Sequence, residues 1–383
     1  MSSEKSKSLF SQILLIYLIS RLVLEAVGIL SIFYFPSARA IFPIKDLLYH
    51  EKVSASAEMW ARWDSEWYLL IAEQGYDSHS YFKDFGGGRY LPAETTKFFP
   101  LYPLCIRLFS FLTGNTVLAG ILVSNIAAVL FLYFFYRLTT RLFDSEVAAQ
   151  SCLLYILFPA SFFLNAVYSE SLFLACLVAC FCYIEEKRLW PAAFALSLTL
   201  LCRPTGVLAL PAVLWLAAIK FQESRIRSVS ILMLAGGGAL LLYIGYVVRI
   251  FGSYDAIISG VNYWRGQSRY PFYALVRFFN GPMAIHGQHN SIIDFSFAAL
   301  HILALAVSFR RLPKPYYIYS IITIAFPLSS TLFSFSRLGL ANFPLFLYLG
   351  TQLTGRWALL VQIVFAMLLA FFMAAFANWY WVG

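Results

Sequence analysis

Residues 61–76, ARWDSEWYLLIAEQGY, bring together three acids, an arginine, two tryptophans and two tyrosines in a chain otherwise rich in apolar residues. Read as a helix over 57–76, the stretch lines up Trp60, Trp63, Trp67, Leu70, Ile71 and Gln74 at spacings of three and four, a stripe suited to the bilayer interface. Glu58, Arg62, Ser65, Glu66 and Glu73 fall on the other side, with Glu66 and Glu73 toward solvent. Asp64 flanks the tryptophan stripe, between Trp60 and Tyr68 at i−4 and i+4. Two roles suit it. It caps the helix that begins at Ser65, or partial desolvation raises its pKa toward the range useful to a general base. The tryptophans are an aromatic belt first and a sugar-stacking platform second.

Other polar residues recur where apolar runs break. Tyr168, Ser169 and Glu170 interrupt two runs, Arg203 lies in CRPTG, and Arg337 lies in FSFSRLGLANFP. A lone arginine at such a place usually snorkels to the interface. Several on one face, with an acid among them, point instead to a pocket for a polar, phosphorylated ligand, because the planar guanidinium makes paired charge-assisted bonds to phosphate. Residues 251–290 add Arg265 and Arg269. His286 and His289 form an H-G-Q-H pair that could ligate a metal, with no third ligand evident nearby. Arg21 and Glu25, at i and i+4, are expected to neutralise each other.

The elements that must hold these groups follow from composition: 61% hydrophobic residues, 12% charged residues and a mean hydropathy of +0.73 place the chain among polytopic membrane proteins. The expected architecture is all-α and a single domain over 1–383. About eleven spans are expected, over 9–35, 117–136, 147–167, 169–184, 189–202, 205–220, 228–250, 291–309, 315–334, 338–355 and 357–380. Residues 9–35 read as a retained first span rather than a cleaved signal peptide. Basic knots at Lys5, Arg137, Lys187, Arg188, Lys220, Arg225 and Arg310 assign one side, with the N-terminus, to the cytoplasm. Most of the formal net charge of +9 then lies there, as a topology signal and not a nucleic-acid surface. The long segments 36–100 and 251–290 fall outside, with a flexible GGG at 86–88. Residues 98–115 carry two prolines and an arginine and read as an interfacial helix. The six cysteines lie in or beside apolar runs, without disulfide or metal spacing.

Within this frame RWDSEWYLLIAEQGY, followed by KFFPLYP, resembles the W-D-A-E-x-x-x-x-I-A-x-x-G-Y and F-F-P-x-x-P run of the PIG-V mannosyltransferase family. SRLVLEA, YSESLF and CRPTGVLALP follow the same order, and SRLGLANFPLF is similar to a pattern in related membrane glycosyltransferases. The resemblance covers about the first 220 residues. It implies a GT-C-type fold with an extracytoplasmic active site, Asp64 as the catalytic acidic residue of the first outer loop and Glu66 as the acid two residues on. It also implies a polyprenyl-phosphate sugar donor, typically mannose, transferred with inversion to a glycolipid or other membrane-associated acceptor. Arg62, Trp63, Tyr168, Glu170, Arg203, Arg265, Arg269 and Arg337 are the candidate substrate-binding residues. No cofactor is expected: the leaving group is already a phosphate, so no metal is required to neutralise a pyrophosphate. The competing readings are a GT-C enzyme for another sugar or a protein acceptor, and a lipid or solute transporter using the same arginines without chemistry. The longer stretch between GY and FFP, and RPTG in place of an R-S-N-G-like turn, leave the acceptor open.

Overall fold

Long apolar stretches without helix breakers become the longest helices. A computed structural model describes residues 2–38, 53–76, 92–285 and 290–383. Helix α1 (Ser2–Tyr34) is followed by α2 (Ala55–Glu58), α3 (Ser65–Gln74), α4 (Leu101–Thr113), α5 (Thr116–Leu142) and α6 (Ser145–Leu157). The middle of the chain forms α7 (Glu170–Glu185), α8 (Leu189–Cys202), α9 (Leu210–Lys220) and α10 (Arg225–Phe251). The remainder gives α11 (Asp255–Arg265), α12 (Tyr273–Phe279), α13 (Ile292–Ser308), α14 (Lys314–Leu328), α15 (Phe335–Leu338), α16 (Phe343–Gln352) and α17 (Gly355–Ala377). Each expected span has a helix at its place, several of them shorter. The run 147–167 stops at Leu157, and the run 338–355 begins its regular helix at Phe343, where the Pro344 ring suits a first turn.

Among the described residues four helices, Lys5–Tyr34, Thr116–Leu142, Gln222–Phe251 and Gly355–Ala377, are long and apolar enough to cross a bilayer. Their outward faces expose Leu22, Phe33, Leu234, Leu242, Met367 and Phe371. Apolar surface on that scale belongs in lipid, and the chain is a membrane protein. Inside, α5 packs on α7, α7 on α8 and α8 on α10, while α17 lies against α1. Helix α4 exposes Leu104, Leu108, Phe111 and Leu112 along one side and buries Tyr102 and Ile106 on the other. At thirteen residues it extends only about 20 Å, in keeping with an interfacial helix.

The charged ends of the bundle separate cleanly. Lys5 pairs with Glu146 at 2.7 Å, Arg137 with Glu186 at 2.6 Å, and Lys220 with Glu185. The basic knots therefore meet at one end. Glu170 and Glu185 bound the same helix, so the polar groups around Glu170 lie about 22 Å away along α7.

Candidate active site

The motif around Asp64 does not form one helix. Helix α2 ends at Glu58, Trp63 adopts φ 59°, and α3 starts only at Ser65. A bulky residue in the left-handed region is an outlier that the surroundings must enforce. Neighbours do so here: the Trp63 ring meets Trp379 at 6.0 Å and Trp381 at 5.8 Å, and Trp379 is itself left-handed at φ 66°. Asp64 occupies the N-cap position, yet its side chain makes no capping bond. The Arg337 Nη1 group instead donates to Asp64 Oδ2 at 2.9 Å.

Around this pair the main chain is tied to the 165–170 turn. The Asp64 N–H donates to the Tyr168 hydroxyl at 3.2 Å, which donates in turn to the Arg62 carbonyl at 2.9 Å. Tyr68 and Ser169 share a hydrogen bond of 2.7 Å. Arg337 Nε lies 3.0 Å from Glu170 Oε1, which also pairs with Arg203. Its guanidinium is ringed by Tyr168 at 5.1 Å, Trp381 at 5.3 Å and Phe163 at 5.5 Å. The α15 turn that carries it is held by α13: Asp294 Oδ1 accepts from the Ser336 N–H at 3.0 Å, and His301 Nε2 lies 3.3 Å from the Gly339 carbonyl.

Two further cations reach the cluster from the outer segments. The turn Pro92–Lys97 packs against α11, with Thr96 Oγ1 donating to the Ala256 carbonyl at 2.8 Å. That contact carries Lys97 and Arg265 to the same place, where both couple to Arg203 and Arg337. Arg265 is buried at Nε and Nη2, and neither atom has a hydrogen-bond partner among the described residues. Burial, then repulsion from Arg337 and Arg203, draws it down to about 10. Burial likewise lowers Lys97 to about 7, against the pull of Asp64 and with Arg337, Arg265 and Arg203 adding to the fall. A small apolar cleft of about 20 Å³ lies beside the cluster, lined by Glu170, Arg203 and Arg337 together with Phe173, Leu208 and Tyr319.

Several expectations change. Burial does push the Asp64 carboxyl up, as expected, but Lys97, Arg337 and Arg203 together outweigh it and hold it below the usual carboxylate range. Trp60 and Trp67 face the protein interior, not lipid, at 6% and 8% exposure, with Trp60 donating to Glu25 and Trp67 stacked on Phe98. Glu66 is buried beside them rather than solvated, whereas Glu73 stays exposed and accepts from Thr116 Oγ1 at 2.8 Å. Arg62 is buried too, pairing with Glu58 and lying 4.5 Å over the Trp379 ring. Arg21 and Glu25 do not serve one another: Arg21 donates to Asn165 Oδ1 and the Ile156 carbonyl, and Glu25 accepts from Trp60 Nε1 at 2.7 Å.

Asp64, Tyr168, Glu170, Arg203, Arg265 and Arg337 thus come together, with Trp63 and Arg62 on the adjoining wall. Arg269 does not join them; it is exposed, with its guanidinium 4.9 Å over the Tyr273 ring. His286, His289 and the GGG at 86–88 lie outside the described residues. Among the described residues no three His, Cys, Asp or Glu side chains gather as a metal site. Lys97, Phe163, Trp379 and Trp381 escape sequence reasoning. Lys97 had a signal, its place at the head of KFFPLYP; the aromatic residues are indistinguishable from ordinary membrane-helix composition.

The profile of the mannosyltransferase (PIG-V) family matches residues 10–230, which hold Asp64, Glu170 and Arg203. The chain belongs to the PIG-V mannosyltransferase family. Among curated PIG-V relatives, GPI mannosyltransferase 2 of Schizosaccharomyces pombe is 26% identical over 260 residues, 64% of this chain and 52% of that protein. GPI alpha-1,6-mannosyltransferase 2 of Homo sapiens is 29% identical over 161 residues, 39% of this chain and 30% of that protein. The matched region thus spans about half or less of these relatives. The structure also resembles ArnT from Cupriavidus metallidurans bound to undecaprenyl phosphate, with a TM-score of 0.55 and 11% identity over 91% of this chain and 62% of that one. The fold of this PIG-V family member is accordingly of the GT-C type.

Proposed function

We propose that this PIG-V family member is an inverting, metal-independent glycosyltransferase that moves mannose from a polyprenyl-phosphate donor to a glycolipid acceptor at the extracytoplasmic membrane face. One observation carries the reading: four cationic groups, Lys97, Arg203, Arg265 and Arg337, converge with two carboxylates, Asp64 and Glu170. That leaves an excess of two positive charges while Lys97 is protonated, and of one once it is neutral. A polyprenyl-phosphate sugar carries one negative charge on its phosphodiester. The phosphate that leaves carries two, so the pocket is matched to the charge that develops as the bond breaks.

The acceptor hydroxyl attacks the anomeric carbon from the face opposite the phosphate. The carbon–oxygen bond to phosphate breaks with its electron pair passing to the phosphate oxygen, and the hydroxyl proton passes to Asp64. Asp64 is ionised at neutral pH and so ready to accept it. Arg337 couples the two events: as charge grows on the phosphate, the guanidinium is drawn toward it, and the basicity of Asp64 rises. Glu66 lies two residues further on the same motif and contributes to binding sugar or acceptor hydroxyls. The donor's lipid phosphate lies at this cluster, a reading supported by the undecaprenyl phosphate bound by the structural neighbour. The basic knots gathered at the far end of α7 favour a cytoplasmic location for that end, which turns Asp64 outward.

The test is purified protein with polyprenyl-phosphate mannose and a panel of glycolipids. Transfer to a glycolipid with inverted anomeric configuration is expected. Donor binding without transfer to any lipid, coupled to movement of the donor between leaflets of a vesicle, would favour the transporter instead.

A further inference from the structure

We infer that Trp63 and Trp381 form a pyranose-binding subsite in which two indole N–H groups donate to the hydroxyls of a sugar beside Asp64. This rests on the phosphate-binding reading above and says where the sugar sits. Trp63 Nε1 and Trp381 Nε1 are both buried, and neither has a hydrogen-bond partner among the described residues. Buried donors left unsatisfied are uncommon and call for a ligand or water. Here two occur on rings that meet edge to face at 5.8 Å and 77°.

Both rings are held in place. Trp381 stacks on Phe333 at 5.7 Å and 23°, covers the Arg337 guanidinium at 5.3 Å and lies 6.2 Å from Phe163. Its main chain is fastened to the α15 turn, where Ser336 Oγ donates to the Val382 carbonyl at 3.2 Å. On the other side Trp63 keeps a left-handed backbone, and so does Trp379, which its ring also touches. Strain of this sort persists where packing enforces it and gathers at ligand sites. Two idle donors set in an aromatic wall suit a molecule that offers hydroxyl acceptors beside apolar C–H groups. A pyranose offers both. The position fits as well, since Arg337 touches Trp381 and Asp64 follows Trp63 in the chain.

The sugar could belong to donor or acceptor, and the two are separable. Full-length protein in detergent is titrated calorimetrically with mannosyl polyprenyl phosphate, with bare polyprenyl phosphate, and with methyl mannoside over saturating polyprenyl phosphate. Trp381→Phe and Trp63→Phe keep a ring and remove the N–H. The expected result is a weakening of about tenfold for a sugar-bearing ligand, with bare polyprenyl phosphate unchanged, which also shows that the variant is folded. Loss with mannosyl polyprenyl phosphate assigns the subsite to the donor's sugar; loss with methyl mannoside alone assigns it to the acceptor's. Equal loss for sugar-bearing and bare ligands, or no loss in either variant, overturns the subsite. If the unsubstituted protein fails to bind polyprenyl phosphate, the phosphate reading itself falls and takes the subsite with it.

Discussion

Arg337 Nη1 lies 2.9 Å from Asp64 Oδ2, a bond between residues 273 positions apart in the chain. It takes the carboxylate away from the helix end it could have capped and ties it to the cluster that faces the cleft. The same guanidinium reaches Glu170 at 3.0 Å, so one side chain links the candidate base to the cationic pocket.

Replacing Asp64 by Asn keeps the shape and removes the base. Turnover is expected to fall by roughly 10²- to 10⁴-fold, the usual contribution of general-base catalysis, with donor KM changed far less. Steady-state kinetics on detergent-purified protein decide it, and a variant with full transfer rules out the base assignment.

Arg265 and Arg337 should respond differently to loss of the side chain. Arg265→Ala removes a guanidinium with two idle donors and is expected to raise donor KM by about tenfold or more while thermal stability holds. Arg337→Ala takes the hydrogen-bond partner from the buried Asp64 carboxylate and leaves Glu170 with Arg203 alone, and is expected to cost about 3–5 kcal/mol. Equal melting temperatures for the two variants would contradict the contrast.

Lys97 makes donor capture sensitive to pH near neutrality. Its pKa is drawn down to about 7, so the ammonium is present below that pH and lost above it. Donor kcat/KM, which reports the free enzyme, should therefore decline as pH rises through about 7. Lys97→Arg is expected to move that decline to higher pH. On the acid side, Asp64 is held below the usual carboxylate range, so its own protonation should not reduce activity until the pH falls below that range.

Chelation provides a separate check on the cationic pocket. With the phosphate's charge met by lysine and arginine, EDTA is expected to leave the transfer rate unchanged. A rate lost on chelation and restored by a divalent cation would show that a metal shares the task.

Gly120 lies where α5 packs against the turn bearing Tyr168. A Cβ there would sit 2.6 Å from Val167 Cγ1, and the Gly120 carbonyl accepts from Tyr102 at 3.2 Å. Gly120→Leu should cost about 1–3 kcal/mol by overpacking, and should lower turnover as well, because Val167 precedes the tyrosine that holds the Asp64 main chain. A variant as stable and active as the parent would show that the turn tolerates displacement.

Much of this architecture is legible along the chain. Hydropathy is summed locally, so the apolar runs mark α1, α5, α10 and α17 directly, and Pro204 and Gly206 locate the break at Arg203. The motif around Asp64 is also local, since its residues are spaced along one segment. Burial is not local. The tryptophan stripe looks lipid-facing in isolation, and only the packing of α3 on α4 and α5 shows that it turns inward. Arg269 and Arg265 look alike in sequence, differing by four positions, yet one is exposed and the other reaches the cluster.

The sequence by itself determined a membrane-embedded helical chain, a motif aspartate and a set of arginines beyond what apolar spans require. Only the tertiary structure decided which arginines share a pocket, that Asp64 pairs with Arg337 rather than capping α3, and that its pKa falls instead of rising. The physical reason is that a desolvated charge is governed by its nearest partners in space. Lys97, Arg203 and Arg337 lie 33, 139 and 273 positions from Asp64 in the chain, and folding alone sets them around it.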